Sequence, residues 1–475
     1  MTVAVLVFIL YFGVVFAIGW LSLRRTRDES DYWIAGGRLG WLVGGATLAA
    51  TQASAGTFIG TIGIIYTVGW SFAWLGLTIP LAYWFMAAVL APRFTRVRQL
   101  TLPAFLEARY YGRSPRALAA VIILIANVIY IQAQIVAGGL IANVVFGLPP
   151  VWGMIGFTAI LLAYTVIGGM IAVVWTDFFQ LAVMLLGLAA ALPIALHHVG
   201  GFGTLLDAVE AVHPLVFTWR GLPPTLLFTM GLAFLLGGVA TPEKLTRLYA
   251  MKDMRTIRRG LLFAIVVICE LIIGVGILAL VAIVLFPALP TGDLAMPMIA
   301  SAVLPDFIGA FMLAAITAAM MSTVDSLLIV AGSALSVDIW QTVVDPGVSP
   351  GRRVWIDRIG VVIVGTVPVV LLLSGVGEGQ LVQLIVLLFA ALMASSFFVP
   401  VVAGVYWRRA TRQGAIASMV GGVTVTLLWK ALGPDTIDPV LPGFLASAAL
   451  LSGVSLLTPP PPGTAVAPYF PAEQS

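Results

Sequence analysis

The sequence predicts an all-α, polytopic membrane protein of about thirteen transmembrane helices, organised as a five-plus-five inverted repeat with extra helices at both ends. Three observations predict it. The chain of 475 residues is 61% hydrophobic and only 9% charged, whereas a soluble domain carries roughly 25% charged residues. Apolar runs of about 20 residues, enough to cross a hydrocarbon core roughly 30 Å thick, recur from end to end. Two of these runs, five apart, are interrupted by small and polar residues.

The first run, "VAVLVFILYFGVVFAIGWLSL" over 3–23, is too long for a signal-peptide core and has no small-residue cleavage site, so it reads as a retained helix. Spans follow at about 41–67, 70–91, 117–146, 149–168, 172–197 and 224–247. The rest are expected near 260–286, 305–338, 355–375, 380–407, 414–430 and 441–457. The basic residues support this layout. Arg24, Arg25, Arg27 and Arg38 follow the first span, and Arg93 to Arg116 separate the third from the fourth. Lys244 to Arg259 surround the next junction, Arg352, Arg353 and Arg358 lie near the one after it, and Arg408 to Arg412 near the last. Every Lys and Arg except Arg220 and Lys430 thus falls on one side. That side is cytoplasmic by the positive-inside rule, which puts the N-terminus outside and the C-terminus inside the cell (plasma or inner) membrane. Residues 1–457 form a single transmembrane domain, with repeats at about 41–197 and 224–407, and the proline-rich 458–475 is expected to be a disordered cytoplasmic tail. A single cysteine, Cys269, excludes an internal disulfide and any cysteine-built metal site.

The interrupted spans read "LAATQASAGTFIGTIGIIYTVGW" and "GLAFLLGGVATPEKLTRLYA", the latter with Gly237, Gly238 and Pro242. Since five is odd, equivalent helices run in opposite directions, as an inverted repeat requires. Broken helices at matching places of two inverted halves point to a secondary transporter's midplane site. Open backbone there is tolerated only where it lines a cavity or meets a ligand.

Three acids lie within spans: Asp177, Glu270 and Asp325. Each is expensive at membrane depth. Glu270 has no polar neighbour on its own helix. Asp325 lies in "AAMMSTVDSLL", where Ala319, Ser322, Thr323 and Ser326 share a face at spacings of three and four. That face offers two hydroxyls and an accessible carbonyl beside small Ala319, ligands that suit a hard cation. The unwound stretch near Ala50 and Ala53 could add carbonyls. With no basic residue in its span, Asp325 is expected to be protonated or to face a second cation, sodium or a proton.

Four motifs in order, "DYWIAGGRLGWLVGGATLAATQASAGTFIGTIG", "GGMIAVVWTDFFQ", "AAMMSTVDSLL" and "GVYWRRATRQGAIASMVGG", resemble those of the sodium/solute symporters, which include proline, pantothenate, sialic acid and sodium/glucose transporters. The resemblance covers nearly the whole chain. It implies sodium-driven symport of a small organic solute into the cell by alternating access, with Na+ as the coupling ion and a monomer sufficient for function. It places the main sodium site on Ala50, Ala53, Ala319, Ser322 and Thr323. A second cation site falls on Asp177, Ser322, Asp325 and Ser326, as in the sialic acid members. The solute is expected near Gln52, Gly56, Thr57, Trp74, Phe234, Gly237 and Gly238. Proline transporters carry an aspartate where this chain has Gln52, and the sugar transporters' glutamate–glutamine pair falls on Gly56 and Thr57. "SAGTFIG" looks closest to the pantothenate and monocarboxylate branch, and half-helix N-termini suit a carboxylate. The expected solute is therefore a small organic anion, with a proline-like amino acid or sialic acid as the alternative. An ion channel is a remoter alternative. No catalytic residues are expected: no histidine lies deep in a span, and no HExxH, nucleophile elbow or phosphate loop appears. Lipid is the other partner implied, and nucleic acid is not.

Overall fold

The computed structural model describes residues 2–23, 29–219, 221–376 and 380–470. Arg24, Arg25, Arg27 and Arg220, used above to orient the chain, lie outside the described residues. Every described regular element is helical, with one isolated bridge between Leu39 and Met251. Eleven helices among the described residues are long and apolar enough to cross a membrane, and the bent pair Trp41–Gln52 and Gly56–Val68 makes a twelfth. The expected span 149–168 appears as the shorter apolar helix Pro150–Val166. It runs into the next span through a kink at Gly169, whose φ of +60° and ψ of −165° suit only glycine. A Cβ at that position would also strike the Tyr32 ring.

Helix Asp306–Ser333 is the axis of the bundle. Every residue from Met312 to Ser333 is buried, packed among Arg113–Phe146, Pro150–His198, Trp41–Gln52 and Thr2–Leu23. Small side chains such as Ala314, Ala315, Ala318 and Ala319 let these neighbours approach closely. Helices Thr2–Leu23, Arg412–Leu432 and Val440–Leu457 lie at the edge, with Ile9, Leu10, Trp20, Leu428 and Leu456 exposed. That distribution is normal where the surroundings are lipid.

Both interrupted spans are broken, but not in the same way. The first stops at Gln52, turns extended at Ala53 (ψ 115°), restarts as a π-helical turn over Gly56–Gly60, and bends by 53° overall. In the second, Gly237 and Gly238 remain helical, and the break is the single extended residue Thr241 (ψ 129°) before Pro242–Ala250. The proline denies a preceding residue the helical conformation, so Pro242 breaks the span and the glycines do not. They serve packing instead: a Cβ on Gly237 would lie 2.5 Å from the carbonyl oxygen of Ala390. Gly237→Val is expected to lower the yield of monodisperse protein on size exclusion, since overpacking costs about 1–3 kcal/mol. Gly238→Ala, whose new carbon meets the end of Ala82 at 3.1 Å, should retain most of it.

Two expectations are corrected. Lys244 and Arg247, counted above with the loop charges, are 5% and 0% exposed inside the span Pro224–Ala250. The tail is not free through residue 470. It forms a turn of helix at Gly463–Val466 and buries Tyr469 edge-on against Phe105, with ring centroids 5.6 Å apart. Two adjacent aromatics supply the apolar area that a proline-rich composition conceals.

Candidate functional site

The break after Gln52 leaves backbone carbonyls without helical partners, and helix Asp306–Ser333 brings two hydroxyls to them. Ser322 Oγ lies 2.9 Å from the carbonyl oxygen of Ala50 and 3.0 Å from that of Ala319. Thr323 Oγ1 lies 3.1 Å from the carbonyl oxygen of Ala53, 3.0 Å from that of Ala319 and 3.3 Å from that of Thr51. Each hydroxyl has one proton to donate, so two protons serve four carbonyls. The surplus of inward-facing lone pairs is the arrangement a hard monovalent cation satisfies, with no carboxylate among the five expected ligands. The structure brings all five together and adds the carbonyl of Thr51, which no side-chain pattern could disclose.

The four residues expected around a second cation are arranged differently. Arg247, from the other broken span, reaches into their midst. Its Nη2 donates to Asp177 Oδ2 at 3.0 Å and to Ser326 Oγ at 2.5 Å, and its Nε donates to Thr47 Oγ1 at 2.8 Å. Thr47 in turn donates to Asp177. Arg247 and Asp177 are both fully buried. Asp325 has other hydrogen-bond partners: Tyr164 donates to its Oδ2 at 2.5 Å and Thr165 to its Oδ1 at 2.6 Å. Ser322 faces the carbonyls already described, and Ser326 donates to the carbonyl of Ser322 at 2.8 Å. A guanidinium therefore balances Asp177, where a bound ion was expected. The positive charge comes from a neighbouring span, and nothing on the span of Asp325 itself discloses it. Glu270 lies exposed on helix Met254–Leu285, in neither group.

Next to the break is a narrow, partly open cavity lined by Gln52, Ser54, Gly56, Thr57, Thr61, Tyr130, Phe234 and Gln383, with Phe72, Ile79, Ile272 and Val386 among its apolar walls. Four of the seven expected solute residues line it. Trp74 does not: its Nε1 donates to the carbonyl of Leu227 at 2.9 Å and its ring stacks on Phe228. Gly237 and Gly238 are absent from the lining because they face Ala390 and Ala82. Gln383, unnoticed in the sequence, presents a buried Oε1 without a partner. A lone amide in the apolar run "LVQLIVLL" was the available signal. The four backbone N–H groups that open the second half-helix all have partners: Ala55 N–H donates to Gln134 Oε1 at 2.9 Å, Gly56 N–H to Ser54 Oγ at 3.0 Å, and those of Thr57 and Phe58 to the carbonyl of Ser54 at 2.9 and 3.2 Å.

Comparison with known proteins shows the family. The model of the Sodium:solute symporter family matches residues 32–422. The osmoregulated proline transporter OpuE of Bacillus subtilis is 27% identical over 467 residues, covering 95% of this chain and 94% of that one. The sodium/pantothenate symporter of Escherichia coli is 28% identical, covering 93% and 94%. Among solved structures, a sodium-coupled sialic acid symporter in a substrate-bound outward-open state superposes with a TM-score of 0.84 over 96% of this chain and 98% of that one, at 19% identity, which shows a shared fold. The chain belongs to the sodium:solute symporter family and is a multi-pass, sodium-coupled symporter of a small solute.

Proposed function

We propose that the protein imports a small monocarboxylate, such as pantothenate or a short organic acid, together with sodium held by Ala50, Ala53, Ala319, Ser322 and Thr323. The observation that carries the solute class is the cavity wall. None of its described lining residues is ionised at neutral pH, and most are apolar. A free ammonium would find no acid there, whereas a single carboxylate meets the positive end of a half-helix and a sodium ion close by. Gln52, Gln383 and Thr57 would orient its oxygens and any amide or hydroxyl.

Coupling follows from shared backbone. Ala50 and Ala53 offer their carbonyls to the cation, while Gln52, Ser54, Gly56 and Thr57 of the same break line the solute cavity. Sodium would tie the break to helix Asp306–Ser333 and so fix the cavity's wall. By linkage, solute then favours sodium by the same factor. Uptake into proteoliposomes under an imposed inward sodium gradient, screened with pantothenate, lactate, pyruvate, L-proline, sialic acid and glucose, tests this reading. Gradient-driven accumulation of a monocarboxylate is expected. Accumulation of proline, sialic acid or glucose alone would overturn the solute class, and accumulation without sodium would overturn the cation site.

A further inference from the structure

Lys244 is 5% exposed, and among the described residues its ammonium has neither an ion pair nor a hydrogen bond. Its Nζ lies 5.5 Å from the centre of the Tyr83 ring and 3.8 Å from where a Cβ on Gly238 would sit. Glu243, its buried chain neighbour, is close enough to act on it through charge but forms no ion pair with it, and Glu243 Oε2 is itself without a hydrogen-bond partner. A cation–π contact of this kind recovers only about 0.5–2 kcal/mol, far less than burial of an ammonium costs. An intramembrane charge left in this state is a functional residue by default.

Its position relative to the cavity says which function. Tyr83, whose hydroxyl donates to the carbonyl of Leu48 at 2.9 Å, and Gly238 surround Lys244 together with that part of helix Trp41–Gln52. Four residues along each of these three helices stands a cavity residue: Ile79 from Tyr83, Phe234 from Gly238 and Gln52 from Leu48. Four residues are one helical turn, about 6 Å of rise. On all three helices the step runs from the cavity towards the side that carries the basic loops. The ammonium therefore stands about one turn beyond the cavity, on its basic-loop side.

We propose that Lys244 is a second carboxylate-binding station, which receives the solute's carboxylate as it leaves the cavity towards the basic-loop side. The inference rests on the solute bearing a carboxylate, the reading given above, and it holds for a monocarboxylate or an amino acid alike. The ammonium favours an anion over sodium at this spot. The four-carbon stem of lysine gives the head group freedom to follow its ligand over that distance.

The test uses the full chain in proteoliposomes with pantothenate, lactate, pyruvate and L-proline as probes. For any probe the wild type carries, Lys244→Met should cut turnover about tenfold or more, the loss appropriate to one charge-assisted hydrogen bond. Half-saturation from the external side should stay within about twofold, while half-saturation from the internal side in counterflow should rise about tenfold. Lys244→Arg should keep most of the turnover. A structural role alone would lower the amount of folded protein and leave the internal and external constants in their wild-type ratio. Should Lys244→Met fail to fold, Lys244→Gln takes its place. Wild-type turnover in Lys244→Met, or equal loss in Lys244→Arg, overturns the station only. No uptake of any of the four probes by the wild type removes the solute reading and the station with it.

Discussion

Replacing Thr323 with alanine should raise the sodium concentration for half-maximal uptake by about tenfold or more, the consequence of losing roughly 1.4 kcal/mol of ion binding. Thr323 should be the more sensitive of the two hydroxyl positions. Its Oγ1 reaches three carbonyls, those of Ala53, Ala319 and Thr51, and it joins both sides of the site, whereas Ser322 Oγ reaches two. Ser322→Ala should shift the same constant in the same direction by less. Neither change touches the cavity lining, so solute half-saturation at saturating sodium should stay within about twofold. Initial rates of uptake measured against sodium concentration check this. An unchanged sodium dependence in both variants would remove the proposed cation site.

The second large effect concerns Arg247. Converting it to methionine leaves Asp177 buried and uncompensated, a loss of about 3–5 kcal/mol, and little folded transporter should survive extraction into detergent. Pairing Arg247→Met with Asp177→Asn removes both charges and should restore the monodisperse peak on size exclusion. Turnover should remain slow in the rescued protein, because Thr47 and Ser326 lose the donor that links the two broken spans. Asp177→Asn alone leaves the buried guanidinium without its counter-charge and should likewise lower the yield of folded protein, with slow turnover in what remains. A single Arg247→Met variant as stable as the wild type would show that the pair contributes nothing to the fold.

The division between what was legible in the chain and what was not has a physical basis. Spans are legible because lipid demands about 20 apolar residues for each crossing, and each expected span has its helix. The first break was legible for the same reason, since "TQASAG" cannot continue as a membrane helix without a use for its backbone. The second was legible as a stretch but not to the residue. A glycine pair and a proline both suggest unwinding, but only Pro242 constrains the backbone there, and Gly237 answers to the carbonyl of Ala390, a neighbour 153 positions away. The cluster of carbonyls and hydroxyls was found because helical spacing and motif resemblance agreed on Ser322 and Thr323. The arrangement around Asp177 was misjudged because charge balance in a bundle is a property of packed neighbours. Arg247 looks like a loop residue in sequence and becomes a core residue only when Pro242–Ala250 docks. Gln383 and Tyr130 stayed hidden for the same reason: a lone polar group in an apolar run does not say which way it faces.

The docked tail has a mechanical consequence. Arg109 donates to the carbonyls of Gly404, Trp407 and Ala410 at 2.5, 2.9 and 3.3 Å, and its guanidinium also faces the ring of Phe470. Tyr469 packs beside it on Phe105. Two loops far apart in the chain are thereby clamped into one beam, with the tail as its pin. A fluorescent or affinity module fused beyond residue 475 would hang from that beam and report the motion of helix Leu102–Tyr110 and the Gly404–Ala410 corner as one body. A module inserted between residues 458 and 463 would instead act as a wedge, prying apart two surfaces that the unmodified chain holds shut.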